Sequence, residues 1–414
     1  MTAMERSARM SDPARMPAPI DSPAGDPIYL DNQATTPMDP RVLEAMMPYL
    51  THQFGNPHSA THRWGWDAEA AVMKARRQVA TLIGADADEI VFTSGATEAN
   101  NLAIKGAALA AVAAGDRRRH LVVSAIEHRC VLAAAERMVA SHGFELTVVP
   151  PGPDGIVPVD AVVAALRDDT LLVSVMAVNN EIGTVQPVAE IAVRAHERGA
   201  LVHTDAAQAA GRIPLDLRRV PVDMLSLSGH KIYGPKGVGA LFVRRGIEAR
   251  IEPLFDGGRQ ERGLRAGTLP TPLVVGLGEA ARLARQEGPD ETIRIGHLHL
   301  RLLDRLRAAG LAPEINGAPF TGMEAPGHGA RVPHNINLSL PGTEADRIIR
   351  SLPDLAMSAG SACSSAAVEP SYVLRALMLS EARVTAALRL GLGRFTTEDE
   401  IDRAAVMLSR VVGR

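Results

Sequence analysis

From about residue 65 to residue 243 the chain alternates between two spacings of apolar positions. Val72, Ala75, Val79 and Leu82 recur three or four residues apart, as one face of a helix does, and Gly84 follows as a terminator. Ile90-Val91-Phe92-Thr93 is instead an apolar run short enough for a strand. The alternation then predicts helix 97–114, strand 121–125, helix 129–141, strand 144–149, helix 158–167, strand 171–176 and helix 187–198, followed by strands 201–205, 222–227 and 238–243. Strands with few internal polar residues, separated by helices, belong to a mostly parallel sheet buried on both faces.

Beyond about residue 272 the pattern shifts to longer helices. Residues 312–334 read as a loop, rich in Pro and Gly, and strands 335–340 and 386–391 bracket a segment carrying Cys363. The last helix starts at a Thr397/Glu400 capping box, with Ile401, Ala404, Ala405, Leu408, Val411 and Val412 on one face. The expected architecture is a large α/β domain followed by a smaller α+β domain. Residues 1–27 stand apart: five prolines, scattered arginines and acids, and no helical period read as a disordered extension rather than a targeting peptide.

Composition narrows the function classes. Forty-four Lys and Arg against 47 Asp and Glu give a net charge of -3, without the basic surplus of a nucleic-acid binder. The one basic run, Arg117-Arg118-Arg119, reads as a solvated turn between helix and strand. No apolar stretch approaches the ~20 residues of a membrane helix. Two cysteines, Cys130 and Cys363, make neither a disulfide framework nor a four-ligand metal site, so no metal and a reducing, cytoplasmic setting are expected.

The candidate chemistry sits where strands end. Ser94-Gly95-Ala96-Thr97-Glu98 joins a strand to a helix, a junction that is either a phosphate-binding nest or a plain helix cap. Asp205 ends strand 201–205, with Gln208 beyond it; it either faces the crevice where parallel sheets bind ligands or caps a helix. Lys231, in Ser228-Gly229-His230-Lys231, follows a buried strand and is either a solvated turn residue or a desolvated amine able to form a Schiff base. Together the three pieces match what pyridoxal phosphate requires: a phosphate seat, an acid for the ring nitrogen and a tethering amine. His128, after strand 121–125, suits either ring stacking with proton exchange or a structural role. Cys130 reads as a small buried side chain. Cys363, among Ser, Gly and Ala, is either a packing residue or a nucleophile on a loop. Arg389, inside an apolar run, needs a carboxylate, from the protein or from a ligand.

Several longer stretches carry a family resemblance: YLDNQATTP (29–37), FGNPHS (54–59), VFTSGATEANNLAIKG (91–106), VNNEIGTVQ (178–186), SLSGHKIYGPKGVGAL (226–241), LRAGTLP (264–270), SAGSACSSAAVEPSYVLRAL (358–377) and LRLGLGRFTTEDEID (388–402). The chain resembles, over about residues 28–412, a cysteine desulfurase of the housekeeping and nitrogen-fixation type, in the class V aminotransferase family. The resemblance implies a fold-type I pyridoxal-phosphate transferase with a seven-stranded, mostly parallel sheet. It divides the chain into a large cofactor-binding domain (41–289) and a small domain (28–40 and 290–414) with the cysteine loop. By motif, Lys231 is the Schiff-base lysine, Asp205 the ring-nitrogen partner and Gln208 the partner of the ring hydroxyl. Ala96, Thr97, Ser228 and His230 hold the phosphate, and Thr268 donates a phosphate contact to a second subunit of a homodimer. His128 stacks on the ring as acid and base, Asn180 contacts the cofactor and with Arg389 seats the substrate carboxylate, and Cys363 receives sulfur from L-cysteine as a persulfide, leaving alanine. Rival readings are a selenocysteine lyase or aminotransferase on the same scaffold, and a catalytically silent scaffold homologue.

Three departures qualify the resemblance. Residues 1–27 are additional, and residues 317–333 are longer and richer in Gly and Pro than usual. The chain stops at Arg414, where housekeeping members carry a further tail that helps dock the iron–sulfur scaffold protein. The implied partners are thus sulfur acceptors in iron–sulfur, tRNA or thio-cofactor synthesis, with docking through such a tail left open.

Overall fold

The structure, a computed structural model, describes residues 26–322, 329–359 and 371–412. Seven strands form one sheet in the order Ile90–Thr93, Gly239–Val243, Met224–Ser228, Leu201–Asp205, Thr170–Ser174, His120–Ser124, Glu145–Val149. Gly239–Val243 runs antiparallel to both neighbours, and every other pair is parallel. This is the mostly parallel sheet expected from the apolar runs, with the seven strands that the resemblance implies. The one partly exposed strand is Glu145–Val149 at the sheet edge, where Glu145 is exposed and blunts further pairing.

Alternation along the strands feeds two cores. Phe92, Val122, Val173, Val202 and Leu225 join Val72, Val79 and Val274 on one face of the sheet. Their neighbours Val91, Leu121, Val123, Leu172, Leu201 and Leu241 join Leu102, Ala103 and Val131 on the other. Each fully buried Val or Leu stabilises the fold by about 1.5–3 kcal/mol, so both faces resist slippage of register.

A third core gathers Ile28, Leu30, Ile336, Leu338, Leu388, Leu390, Ile401 and Leu408 around a three-stranded antiparallel sheet, Ala387–Gly391, Asn335–Ser339, Glu314–Ile315. The 38-residue helix Thr271–Ala308 joins the cores: Val274, Leu277 and Ala281 pack into the first, Ile295, Leu302 and Leu306 into the third. Pro289 interrupts its backbone ladder between the two contact faces. Strand Glu314–Ile315 lies where the sequence reads as loop. Two residues are too few to show a period, and only pairing with Asn335–Ser339 makes them a strand. Ile28–Tyr29 pairs in parallel with Leu355–Ala356, so the start of the described chain is bound into the small sheet's surroundings. The Thr397/Glu400 capping box forms, with the backbone N–H of Glu400 donating to Thr397 Oγ1 at 3.2 Å and that of Thr397 donating to Glu400 Oε2 at 2.8 Å. The Arg117-Arg118-Arg119 run is an irregular link just after the turn at 114–115, and Arg118 and Arg119 are half-buried: Arg118 forks onto Asp116, and Arg119 lies over the Phe144 ring.

Candidate active site

A cleft of about 520 Å³ opens at the C-terminal ends of Leu201–Asp205 and Met224–Ser228, beside the start of helix Ala96–Ala113. This is where an open α/β sheet binds its ligand, and the volume suits a small molecule. Ala96, Thr97, His128, Asn180, Asp205, Gln208, Ser228, His230, Lys231 and Arg389 all line it.

The helix start is open. Gly95 precedes it with no side-chain cap, at a φ of 151° that L-residues rarely adopt. Gly239, on the neighbouring strand, lets the helix approach: a Cβ there would stand 2.6 Å from Gly95 Cα. Backbone N–H groups at the positive end of the helix dipole thus face Ser228, whose Oγ is the nearest heavy atom to a Cβ built on Gly95. Glu98 does not spoil this seat, because its carboxylate accepts Ser94 N–H and pairs with Arg265 at 2.9 Å. Burial first, then Lys231 and Lys236, lower the His230 pKa to about 4, so its imidazole is a neutral hydrogen-bonding group at pH 7.

Asp205 is buried, with Oδ1 accepting Ala207 N–H (2.9 Å) and Oδ2 accepting the Asn100 amide (2.7 Å). The Asn100 amide also lies 3.2 Å from Cys130 Sγ, which in turn is 3.0 Å from His128 Nδ1. His128 caps helix Arg129–His142, its Nδ1 accepting the Cys130 N–H at 3.2 Å; that assigns the neutral ring's proton to Nε2. Contrary to the expectation of a small buried side chain, Cys130 is half-buried and lines the cleft, because the His128 cap turns the first residues of the helix toward Asn100. Glu127 is enclosed behind His128: burial raises its pKa to about 8 even though Ser124 Oγ (2.5 Å) and Met176 N–H (2.7 Å) donate to it.

Lys231 Nζ donates to the carbonyls of Gln33 (2.6 Å) and Ala34 (2.8 Å), which also line the cleft. Gln208 donates to the Gln33 carbonyl and accepts from Arg212. Residues 33–35 therefore form one wall, a function their motif did not reveal. Across the cleft, Arg389 is 2% exposed in the middle of Ala387–Gly391. Its Nη2 pairs with Asp31 Oδ1 at 2.9 Å and its Nη1 donates to the Asn180 carbonyl at 3.2 Å. Asp31 Oδ2 accepts Ser358 Oγ at 2.9 Å.

Sequence reasoning missed Asn100 and Asp31. Asn100 had a usable signal, since it follows Ala96 by four residues and so shares the face that opens the helix. Asp31 had none before strand pairing brought it to Arg389. Thr268 is exposed and is absent from the lining of this cleft. Cys363 lies outside the described residues. Among the described residues no three His, Cys, Asp or Glu side chains are grouped to hold a metal ion, and no helix is long and apolar enough to cross a membrane.

An open helix start, a strand-end acid and a lysine thus meet in one cleft, and comparison with known proteins identifies the scaffold. The aminotransferase class-V family model matches residues 28–404. The chain belongs to that family, among its cysteine desulfurases. It is similar to "Cysteine desulfurase IscS" of Rickettsia bellii (strain OSU 85-389), at 49% identity over 94% of this chain and 92% of that protein. Among solved structures it resembles a NifS-like protein with a TM-score of 0.84, 33% identity and coverage of 94% of this chain and 99% of that one. It also resembles SspA in complex with cysteine, with a TM-score of 0.77, 37% identity and coverage of 89% and 100%. These relatives span most of the described scaffold.

Proposed function

We propose that the cleft binds pyridoxal 5'-phosphate and L-cysteine and that this class-V enzyme is a cysteine desulfurase, passing sulfur to Cys363 and releasing L-alanine. The observation that carries the reading is the convergence of Asp205, Lys231, His128 and Arg389 on one cleft. The cofactor fits the donors present: the uncapped helix start at Gly95 with Ala96, Thr97, Ser228 and the neutral His230 would hold the phosphate, and Asp205 the ring nitrogen, with Gln208 for the ring hydroxyl. When bound, pyridoxal phosphate supplies an electron sink for the pair left by the departing α-proton.

The chain's own residues do the rest. Asp205, oriented by Asn100 and Ala207, holds a proton at the ring nitrogen. Lys231 is the tethering amine, and His128 covers the ring and moves a proton at Nε2. Arg389 and Asn180 seat the substrate carboxylate. The transfer balances without an outside oxidant: the carbon–sulfur bond of L-cysteine breaks and a sulfur–sulfur bond forms, so Cys363–SH becomes Cys363–S–SH as L-cysteine becomes L-alanine.

A homodimer completes the reading, with Thr268 serving the partner's phosphate seat. Support comes from its exposure outside its own cleft and from apolar side chains left on the surface. Leu43, Met47 and Leu50 are exposed along one face of helix Pro40–Thr51, and exposed Phe54 lies against Trp64. The recipients of the sulfur are acceptor proteins of iron–sulfur, tRNA or thio-cofactor synthesis, and the setting is the cytoplasm.

Mass spectrometry after exposure to L-cysteine tests the proposal. Cys363 is expected to gain one sulfur atom, and Lys231→Ala to gain none. Retention of the adduct in that variant would remove Lys231 from the reaction. A Cys363→Ala protein that still frees sulfur at full rate would point to a lyase on the same scaffold.

A further inference from the structure

The guanidinium of Arg389 is claimed by a carboxylate of the protein itself. Burial leaves a charge such as Arg389 in need of a counter-ion, and Asp31 provides it at 2.9 Å. Asp31 is well fixed for this task. Its neighbours are stitched to the strand bearing Arg389, Gly391 N–H donating to the Leu30 carbonyl (2.6 Å) and Asn32 N–H to the Gly391 carbonyl (3.3 Å). Its second oxygen is held by Ser358, whose backbone exchanges hydrogen bonds with Arg389 itself. Yet the guanidinium is only partly satisfied: its Nε is buried and, among the described residues, has no hydrogen-bond partner. The side-chain oxygen of Asn180, whose carbonyl accepts from Nη1, is buried and unpartnered in the same sense. A guanidinium with Nη2 on Asp31, Nη1 on a neutral carbonyl and Nε idle can accept a second carboxylate, but only against the charge of the first.

We infer that Asp31 is an internal carboxylate that positions Arg389 and competes with the incoming α-carboxylate for it, setting how tightly the substrate is held. This rests on the desulfurase reading for the identity of the substrate, though the competition itself requires only a carboxylate ligand. Two carboxylates sharing one guanidinium lie on the order of 5 Å apart, close enough for their repulsion to weaken ligand binding several-fold even when well screened. Asparagine has the same shape as aspartate, keeps an acceptor for Arg389 and a donor for Ser358, and lacks the charge.

The experiment is calorimetric titration of the cofactor-loaded enzyme with 3-mercaptopropionate, which carries the thiol and carboxylate of L-cysteine without its amine. Cysteamine, carrying the thiol and amine without the carboxylate, is the control. Asp31→Asn is expected to bind 3-mercaptopropionate about five- to tenfold more tightly and cysteamine unchanged, and the KM for L-cysteine is expected to fall with the first. A merely structural aspartate gives the opposite: its loss loosens Arg389 and weakens the carboxylate ligand. Unchanged or weaker binding of 3-mercaptopropionate by folded Asp31→Asn overturns the inference. If that variant does not fold, Ser358→Ala is the second test. It leaves Asp31 with Arg389 as its main partner, so 3-mercaptopropionate is expected to bind roughly two- to threefold more weakly; no change overturns the inference. Tightening in an enzyme that makes no alanine from L-cysteine would sink the proposed function alone, and alanine without tightening would sink the role of Asp31 alone.

Discussion

At one end of the cleft, residues 94–97, Asp205, Ser228, His230 and Lys231 stand at the ends of strands in a single sheet, each within a short motif of the chain. At the other end, Arg389 is met by Asp31, Asn180 and Ser358, drawn from three separate segments. The first end inherits its geometry from a sheet whose strands are buried on both faces. The second depends on the small sheet docking correctly against residues 28–36 and 178–182. On the proposed function the two ends should therefore fail differently: damage to the first removes the groups proposed to activate the cofactor, and damage to the second loosens the proposed grip on the substrate carboxylate.

The largest expected effect follows from that split. Asp205→Asn keeps an acceptor for Ala207 but removes the acid proposed to face the ring nitrogen, so kcat is expected to fall on the order of 10²–10³-fold with KM changed far less. Arg389→Lys keeps the charge and loses the fork. KM for L-cysteine is expected to rise on the order of tenfold, while kcat changes by less than KM does. Steady-state kinetics on both variants checks the pair. If Asp205→Asn acts through KM, or Arg389→Lys through kcat, the two ends are not functionally separate and the comparison breaks.

The same contrast explains what was legible in the sequence. The sheet could be read because strands buried on both faces leave unbroken apolar runs, and the strand ends then mark Asp205, Ser228 and Lys231. Arg389 could be read as needing a carboxylate, but not which one. Asp31 lies 358 residues away in sequence, and only the parallel pairing of Ile28–Tyr29 with Leu355–Ala356 and the bridge from Asp31 to Gly391 bring them together. Asn100 was hidden differently: an Asn inside a helix reads as an ordinary polar position until the Asp205 strand is packed beneath it. Cys130 was misread because burial was judged from residue type, whereas the cap formed by His128 decides where its thiol points.

A smaller effect is expected from Asn100, whose amide is the side-chain donor to Asp205. Positioning residues of this kind typically contribute 10- to 100-fold when removed beside a metal, and an acid that Ala207 N–H holds as well should show the lower figure. Asn100→Ala is expected to lower kcat by about tenfold and to shift the pH at which the bound cofactor's visible absorbance changes. Asn100→Asp, which places a second carboxylate against Asp205, should shift that pH further. A variant with altered kcat and an unmoved absorbance titration would show that Asn100 supports packing rather than the acid.

The smallest effect concerns the support under the strand end. His203, two residues before Asp205, is buried between Ser174 Oγ (2.8 Å) and Ser226 Oγ (3.0 Å), and burial lowers its pKa to about 4. Unfolded, it titrates near 6.5. As pH falls from 6.5 toward 4 the unfolded chain takes up this proton and the folded one does not, so stability present above pH 6.5 is lost on acidification and levels off below pH 4. The loss from His203 alone is on the order of 3 kcal/mol. Buried His299, lowered to about 3, adds to it with the same sign. Glu127 has the opposite sign: with its pKa raised to about 8, it favours the fold below pH 4.5 and loses that contribution as pH rises through 8. These other groups cancel in a comparison of wild type with His203→Gln, which can keep one bond to each serine. Urea unfolding between pH 7 and 4 should give the variant a shallower loss, smaller by about one proton's slope. Equal slopes would mean that His203 is protonated inside the sheet, leaving a positive charge two residues from Asp205, as Arg389 leaves one beside Asp31 at the other end.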